Sequence, residues 1–372
     1  MNSRERVIRT LDHQEGDRVP IDFGGHVSTS IEFGAYVRLK KHFGYEMTKD
    51  ELSLRPEQLQ WGMPFVDERI LRRFHADFRT VSFGAPHSPK STEDVSEDQW
   101  GVKWRKSGIH YWIVDHPLKN VESVSQIRDH KWPDRFVTTG VRKQAKQFED
   151  EGWAVMGGGG GIFEPAYWVR GMEQLFIDMY RRPEFVEALF DEILAVQTEY
   201  FKQMLDEVGD VLLVVQTADD LGSQEGLIMS PALYRKYLKP RHKKIFDLIH
   251  KRSSAKTFIH SCGSVEALLS DLIEIGLDVL NPVQPRAVNM NPRMLKEKYG
   301  RKLTFHGGID SQRVLPYGTA EEVRNEVRET IKAFAPQGGY VLAPSQALQP
   351  EVPLENILAM FDAALRYGTY PL

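Results

Sequence analysis

The sequence predicts an α/β fold: a (β/α)8 TIM barrel with a hairpin insertion in its N-terminal third. Three observations carry that expectation. Eight short apolar runs recur along the chain, most of them ending in polar or glycine letters. Amphipathic stretches of helical period separate the later runs. No Gly-x-Gly-x-x-Gly follows the first run, which disfavours the rival doubly wound sheet.

The expected strands, in order, are VPIDFGG (19–25), DFRTVSFG (77–84), WAVMGGGGG (153–161), VLLVVQTADDLG (211–222), KTFIHSCG (256–263), DVLNPVQP (278–285), LTFHGGID (303–310) and YVLAPSQ (340–346). Continuous apolar runs of this length describe a parallel strand buried on both faces. Helices are expected over 172–209, 231–252, 264–276, 291–300 and 319–336, and a last one closes the chain from Leu354. Start signals support three of them: Ser230-Pro231, Ser264, and Thr319 with Glu322 as a capping box. Residues 84–135 break the alternation. There DQWGVKWRKSGIHYWIVDHPL alternates aromatic and polar letters as short strands do, and WPD (132–134) marks a turn, so the stretch reads as an insertion into one domain of residues 1–372.

Composition narrows the function. A 41% hydrophobic share permits a large core, and a net charge of −4 without a basic stripe gives no nucleic-acid surface. The apolar runs are far shorter than the ~18 residues that span a bilayer. The charged start, MNSRERVIRT, has no apolar signal region, so a cytoplasmic protein working on a small molecule is expected. The single cysteine, Cys262, cannot form an internal disulfide.

In a barrel enzyme the site forms where the strands end. Asp22, Glu164, Asp219, Asp220, His260, Cys262, Gln284, His306, Asp310, Ser345 and Gln346 would gather there from distant parts of the chain. His260 and Cys262 are two residues apart, and in an extended segment such residues point to one side. Imidazole nitrogen and thiolate sulfur are zinc ligands, and a catalytic zinc takes three protein ligands. The thiol equally suits a small buried hydrophobe, or a nucleophile beside a base. Of Asp219 and Asp220 only one should face the mouth, and Asp220 is the choice because it begins the loop. As a catalytic group it competes with a plain helix cap. His306 and Asp22 are further catalytic candidates, though a satisfied structural histidine fits HGGID as well. Gly159 in the pentaglycine and Gly307 in HGGID permit close approach of a cofactor or another backbone.

Several separated motifs resemble, in order, the uroporphyrinogen decarboxylase superfamily: NSRERVIRTLDHQEGDRVPIDFGG, DDLGSQEGLIMSPALYRKYLKPRHKKI, TFIHSCGSVEALLSDLIEIGLDVLNPVQ, TFHGGID and GGYVLAPSQALQPEVPLENILAMFDAAL. The resemblance covers nearly the whole chain and implies a (β/α)8 barrel. The true decarboxylases of the superfamily carry an arginine-bearing Met-Arg-Gln-Ala-Gly-Arg-Tyr stretch near the start, which binds substrate carboxylates. This chain has PIDFGGHVSTSIEF (20–33) there, with no arginine between Arg18 and Arg38. An octa-anionic substrate needs such cations. The His-x-Cys-Gly motif instead resembles the corrinoid-linked branch, which includes methylcobamide:coenzyme M methyltransferases and O-demethylases. It implies His260 and Cys262 as zinc ligands and a corrinoid (cobalamin) supplied by a partner protein. The further cysteine of that branch falls at Gln346, so Glu164, Asp220 or His306 would have to replace it; Glu164 is taken with His260 and Cys262 as the metal set. Gln284, Gln346, Gly159 and Gly307 are expected to line the cofactor site, with Asp220, His306 and Asp22 as catalytic groups. The implied function is zinc-assisted methyl transfer between a small methylated substrate or thiol and the corrinoid protein. A cofactor-free decarboxylase-type lyase and a non-catalytic ligand-binding barrel are the alternatives.

Overall fold

The structure is a computed structural model that describes residues 1–48, 65–83, 90–91, 95–107, 110–134, 136 and 138–372. Among these, the apolar runs form seven parallel strands in one curled sheet. They are β1 (Phe78–Val81), β6 (Ala154–Gly158), β7 (Val214–Ala218), β8 (Lys256–His260), β9 (Val279–Val283), β10 (Thr304–Ile309) and β11 (Tyr340–Pro344), hydrogen-bonded in that order. Both faces are buried. Val214, Phe258, Val279 and Val341 join Met156 and Phe78 in an inner cluster, while their neighbours Val215, Ile259, Leu280 and Leu342 pack outward against helices. This is the two-residue period of a strand applied to two apolar faces. The N-terminal helix, Ser3–Leu11, adds Val7 and Leu11 to the inner cluster and so plugs the sheet from below.

The eighth expected strand does not form, so the sheet is open and seven-stranded rather than a closed eight-stranded barrel. Residues 19–25 make one parallel bridge, between Ile21 and Leu342. The Leu342 N–H donates to the Pro20 carbonyl (2.9 Å), and the Asp77 N–H donates to the Ile21 carbonyl (2.8 Å). Two features stop this stretch from extending the ladder. Pro20 has no N–H to give, and the Ile21 N–H is taken by the Asp77 carboxylate at 2.8 Å. The segment lies across the seam between β11 and β1 without becoming a strand.

The expected insertion contains a second sheet, antiparallel in the order β2 (Lys90–Ser91), β3 (Val95–Glu97), β4 (Lys103–Ser107) and β5 (His110–Asp115). Residues 84–89, 92–94, 108–109 and 135 of that insertion lie outside the described residues. Trp104 of β4 meets Trp168 edge to face at 5.8 Å, which ties this sheet to the helix that follows β6.

The expected helices form with corrections at two of them, and helices also form where none was expected, at Ser3–Leu11, Phe33–His42, Glu68–Arg73, Val124–Arg128, Val141–Asp150 and Val314–Tyr317. The stretch 172–209 is two helices, Met172–Arg181 and Pro183–Val208, because Arg182 precedes a proline and leaves the helical region (φ −140°, ψ 60°). A helix at Phe163–Arg170 was not expected. Ser264 caps nothing; a 3-10 turn starts at Glu266 instead and leads into Leu269–Glu274. The Ser230 cap and the Thr319–Glu322 capping box are present. After Ser230, a helical turn and a π-turn (Tyr234–Leu238) run into Lys239–Arg252. The π-turn sits where Pro240 lacks a donor. Among the described residues no helix is long and apolar enough to cross a membrane.

Candidate metal centre

His260 is the last residue of β8 and shares the inner face with Phe258 two positions earlier. Cys262 follows in the loop, and Asp220 comes from the loop after β7, the neighbouring strand. The three donor atoms lie within 4.8 Å of one another. Cys262 Sγ is 3.4 Å from His260 Nε2, and His260 Nε2 is 3.8 Å from Asp220 Oδ1. Ligands placed tetrahedrally around zinc at their usual bond lengths stand roughly 3.3–3.7 Å apart, so the His260–Cys262 separation fits one ion and the His260–Asp220 separation lies just beyond that range. The chemistry fits as well. Burial first, then the Asp220 carboxylate and Glu164, push the Cys262 thiol far above its ordinary range. A thiolate here requires a cation, and a dication bound by these atoms supplies it.

The orientation of His260 is set from below. Its Nδ1 is 2.7 Å from Asn281 Oδ1. Ser28 Oγ donates to the same oxygen at 3.2 Å. With Nδ1 protonated, Nε2 keeps its lone pair toward the donor cluster. Asn281 lies on the inner face of β9, two residues after Val279, and its Nδ2 reaches His306 Nδ1 at 2.6 Å. His306 Nε2 is 3.0 Å from Asp22 Oδ2, although the N–H is not aimed along that line and makes no formed hydrogen bond. His26 stacks on His260 with ring centroids 4.8 Å apart. Burial, helped by His260 and His306, holds the His26 ring far below its usual pKa, so it stays neutral.

The structure thus places Asp22 and His306 in a buried layer under the centre. Asp22 Oδ1 accepts from Gly25 N (2.9 Å) and Oδ2 from Thr29 Oγ1 (2.8 Å), which folds the 22–30 segment over the seam.

Asp219 and Asp220 part company as adjacent strand-end residues must. Asp219 is buried. It accepts from the N–H groups of Ile162, Phe163 and Glu164 (each 2.8 Å), and His242 Nε2 meets its other side at 2.7 Å. It caps the helix Phe163–Arg170 and so fixes Glu164 in the first turn. Burial, then Asp220 and Asp219, raise the Glu164 carboxyl well above the ordinary range. Tyr167 donates to Glu164 Oε1 at 3.3 Å. Among the described residues, the third donor atom within reach of His260 and Cys262 is a carboxylate oxygen of Asp220, not of Glu164.

The remaining candidates hold the loops. Gln284 Oε1 accepts from Gly263 N (2.9 Å) and Gln224 Nε2 (2.8 Å), pinning the turn that carries Cys262. Gln346 Nε2 lies 3.9 Å from Cys262 Sγ. Asp310 is buried, accepting from Gln312 N (2.8 Å) and Arg313 N (3.2 Å), and Ser345 pairs with Ser311 at 3.0 Å. A Cβ on Gly307 would meet the Val283 backbone at 3.2 Å, whereas one on Gly159 would meet open space. Sequence reasoning missed Asn281, His26 and His242. For Asn281 a signal existed: a polar letter at an inner position of an otherwise apolar strand, at the same level as His260.

Comparison with known proteins places these features in a family. Residues 104–367 match the model described as uroporphyrinogen decarboxylase (URO-D). A methylcobamide:CoM methyltransferase of Methanosarcina barkeri is 29% identical over 184 residues, 48% of this chain and 49% of that protein. A uroporphyrinogen decarboxylase of Geobacter sulfurreducens is 21% identical over 188 residues, 50% of this chain and 51% of that protein. The chain thus spans about half the length of these curated relatives. A solved methyltransferase from Methanosarcina mazei superposes over 99% of both chains with a TM-score of 0.68 at 18% identity, a likeness of fold. With the family model matched over residues 104–367, most of this chain, the chain belongs to the uroporphyrinogen decarboxylase family.

Proposed function

We propose that this protein is a zinc-assisted methyltransferase that moves a methyl group between a small methylated substrate or thiol and a corrinoid protein. The observation that carries the reading is the convergence of His260 Nε2, Cys262 Sγ and Asp220 Oδ1 at the strand ends. The likeness to a methylcobamide:CoM methyltransferase over half its length supports it. Zinc held there supplies Lewis acidity, which favours the ionised form of a thiol or weakens the bond between an ether oxygen and its methyl.

The chain's own residues do the rest. Cys262 and Asp220 would each contribute one negative charge and His260 a neutral nitrogen, a set that would balance the charge of a dication and, as three ligands, leave a fourth position for the substrate. Glu164, held protonated by burial beside Asp220, carries a proton. Tyr167 occupies its Oε1, which leaves the proton to Oε2, and that oxygen can deliver it to a departing alkoxide. Gly159 keeps the mouth clear of a side chain. A polycarboxylate substrate fits poorly: the Asp220 carboxylate would repel it, and the two arginines that bracket residues 19–37 are engaged elsewhere. Arg18 pairs with buried Asp77 at 2.8 Å, and Arg38 donates to the carbonyls of Gly34, Pro350 and Val352.

Elemental analysis of the purified protein tests this reading. The expected result is about one zinc per chain in the wild type, lost in Cys262→Ser, with Asp220→Ala binding roughly 10–100-fold more weakly. A wild type that neither contains zinc nor takes it up would overturn the mechanism.

A further inference from the structure

Below the donor cluster lies a polar chain that the proposed chemistry does not touch. It runs Asp22, His306, Asn281, His260: Asp22 Oδ2 is 3.0 Å from His306 Nε2, His306 Nδ1 2.6 Å from Asn281 Nδ2, and Asn281 Oδ1 2.7 Å from His260 Nδ1. Asp22, His306 and Asn281 are each no more than 1% exposed. Groups buried this completely do not meet substrate. Their use must lie in what they impose on the one member that reaches the mouth.

The chain has direction. A neutral imidazole carries one proton, so one nitrogen donates and the other accepts. A carboxylate only accepts, so Asp22 favours the proton on His306 Nε2, even though that N–H is off the line of a formed hydrogen bond. His306 Nδ1 is then bare and requires a donor. Asn281 meets it with Nδ2, and a planar amide that turns Nδ2 one way turns Oδ1 the other. That oxygen faces His260 and demands a proton on Nδ1. Nε2 of His260 is left with its lone pair, 3.4 Å from the thiol. If the amide were reversed, Nδ2 would face His260 Nδ1, the proton would move to Nε2, and the nitrogen within reach of Cys262 and Asp220 could not bind a metal. A bare Nε2 on His306 would also confront Asp22, lone pair against carboxylate.

We propose that Asp22, acting through His306 and Asn281, fixes His260 as the Nδ1–H tautomer and so reserves its Nε2 for the metal. These three are positioning residues. The link to metal rests on the zinc reading above; the tautomer itself does not.

Nuclear magnetic resonance of ¹⁵N-histidine-labelled, metal-free protein tests the chain without any ion. The wild type is expected to show His260 protonated on Nδ1 and His306 on Nε2. Asp22→Asn keeps the shape of the side chain and can donate to His306, so both rings should exchange tautomers. Asn281→Leu removes the relay, and Asn281→Asp, which still accepts from His260, should restore the Nδ1–H form. Competition with a zinc chelator is the second readout: affinity falls roughly 10–100-fold in Asn281→Leu and stays within about threefold of wild type in Asn281→Asp. His260 protonated on Nε2 in the wild type, or unchanged tautomers in both Asp22→Asn and Asn281→Leu, would overturn the inference. If the tautomers behave as stated but the wild type takes up no zinc, the relay stands and the zinc reading falls.

Discussion

At the scale of single residues, the pentaglycine shows how one run of letters serves two purposes. A Cβ on Gly158 would lie 2.4 Å from the Gln216 carbonyl oxygen, and one on Gly161 would lie 1.6 Å from that of Ala218. These glycines let the end of β6 press against β7, which brings Asp219 onto the N–H groups of residues 162–164. Gly161→Ala should therefore cost more than about 3 kcal/mol, since neither backbone can yield without breaking that cap. Gly226→Ala, at a site where a Cβ meets nothing within 4 Å, should stay within about 0.5 kcal/mol of wild type. Urea unfolding of the two variants checks the contrast, and equal midpoints would show that the close approach is not a constraint. The sequence could say that something approaches closely here, but not that it is the neighbouring strand. His260 and Cys262 were legible because two-residue spacing in a strand has one geometric meaning. Asp220 was legible from its place after Asp219. Asn281 was not, because the same letter in a strand is often only a tolerated polar residue, and its partners come from segments 25 and 253 positions away.

At the scale of elements, seven of the eight apolar runs are strands because their burial on two faces overrides everything local. Residues 19–25 fail because Pro20 removes a donor and Asp77 captures the next one, a long-range contact that no window of sequence contains. The helix Phe163–Arg170 was hidden for a related reason. Its letters, FEPAYWVR, mix a proline with aromatics, and its cap is Asp219, more than fifty residues later in the chain. The same helix ends in an element-level lock. Arg170 and Asp178 form an ion pair at 2.8 Å with almost no exposure, and Arg170 Nη1 also donates to the carbonyls of Leu118, Lys119 and Val121. The pair joins two consecutive helices and anchors the chain leaving β5. Arg170→Met should destabilise by about 3–5 kcal/mol, because buried Asp178 loses its close cationic partner and keeps only Arg182 at 3.8 Å and the Gln174 amide at 2.9 Å. Adding Asp178→Leu should recover much of that loss. A double-mutant cycle from denaturant midpoints measures it; if Arg170→Met alone is near neutral, the pair does not hold the insertion.

At the scale of the whole molecule, the donor cluster joins loops from two neighbouring strands, and the relay beneath it reaches the segment that lies across the seam. Metal binding should therefore couple to global stability. Zinc that binds the folded chain alone at a thousandfold above its Kd stabilises by about 4 kcal/mol, or roughly 5 °C in Tm for a protein of this length. The coupling has a definite pH sign. In the metal-free protein burial and the neighbouring carboxylates push the Cys262 thiol up, so at neutral pH it holds its proton. Zinc would bind the thiolate, so each ion bound would release that proton, and affinity should rise about tenfold per pH unit through the neutral range. A thiol raised in the folded state also means that, above its unfolded value of about 8.5, the metal-free fold binds more protons than the unfolded chain and loses stability as pH climbs. Both effects act in one direction: the interval in Tm between zinc-buffered and chelator-treated protein should widen with pH. Between pH 6 and 7.5, at fixed free zinc, the expected widening is about 2 kcal/mol, or roughly 2–3 °C. Scanning calorimetry at several pH values measures it. In Cys262→Ser the interval should be small and flat. A wild-type interval that stays constant over that range would mean that no proton leaves on binding, and that the thiol is not a ligand.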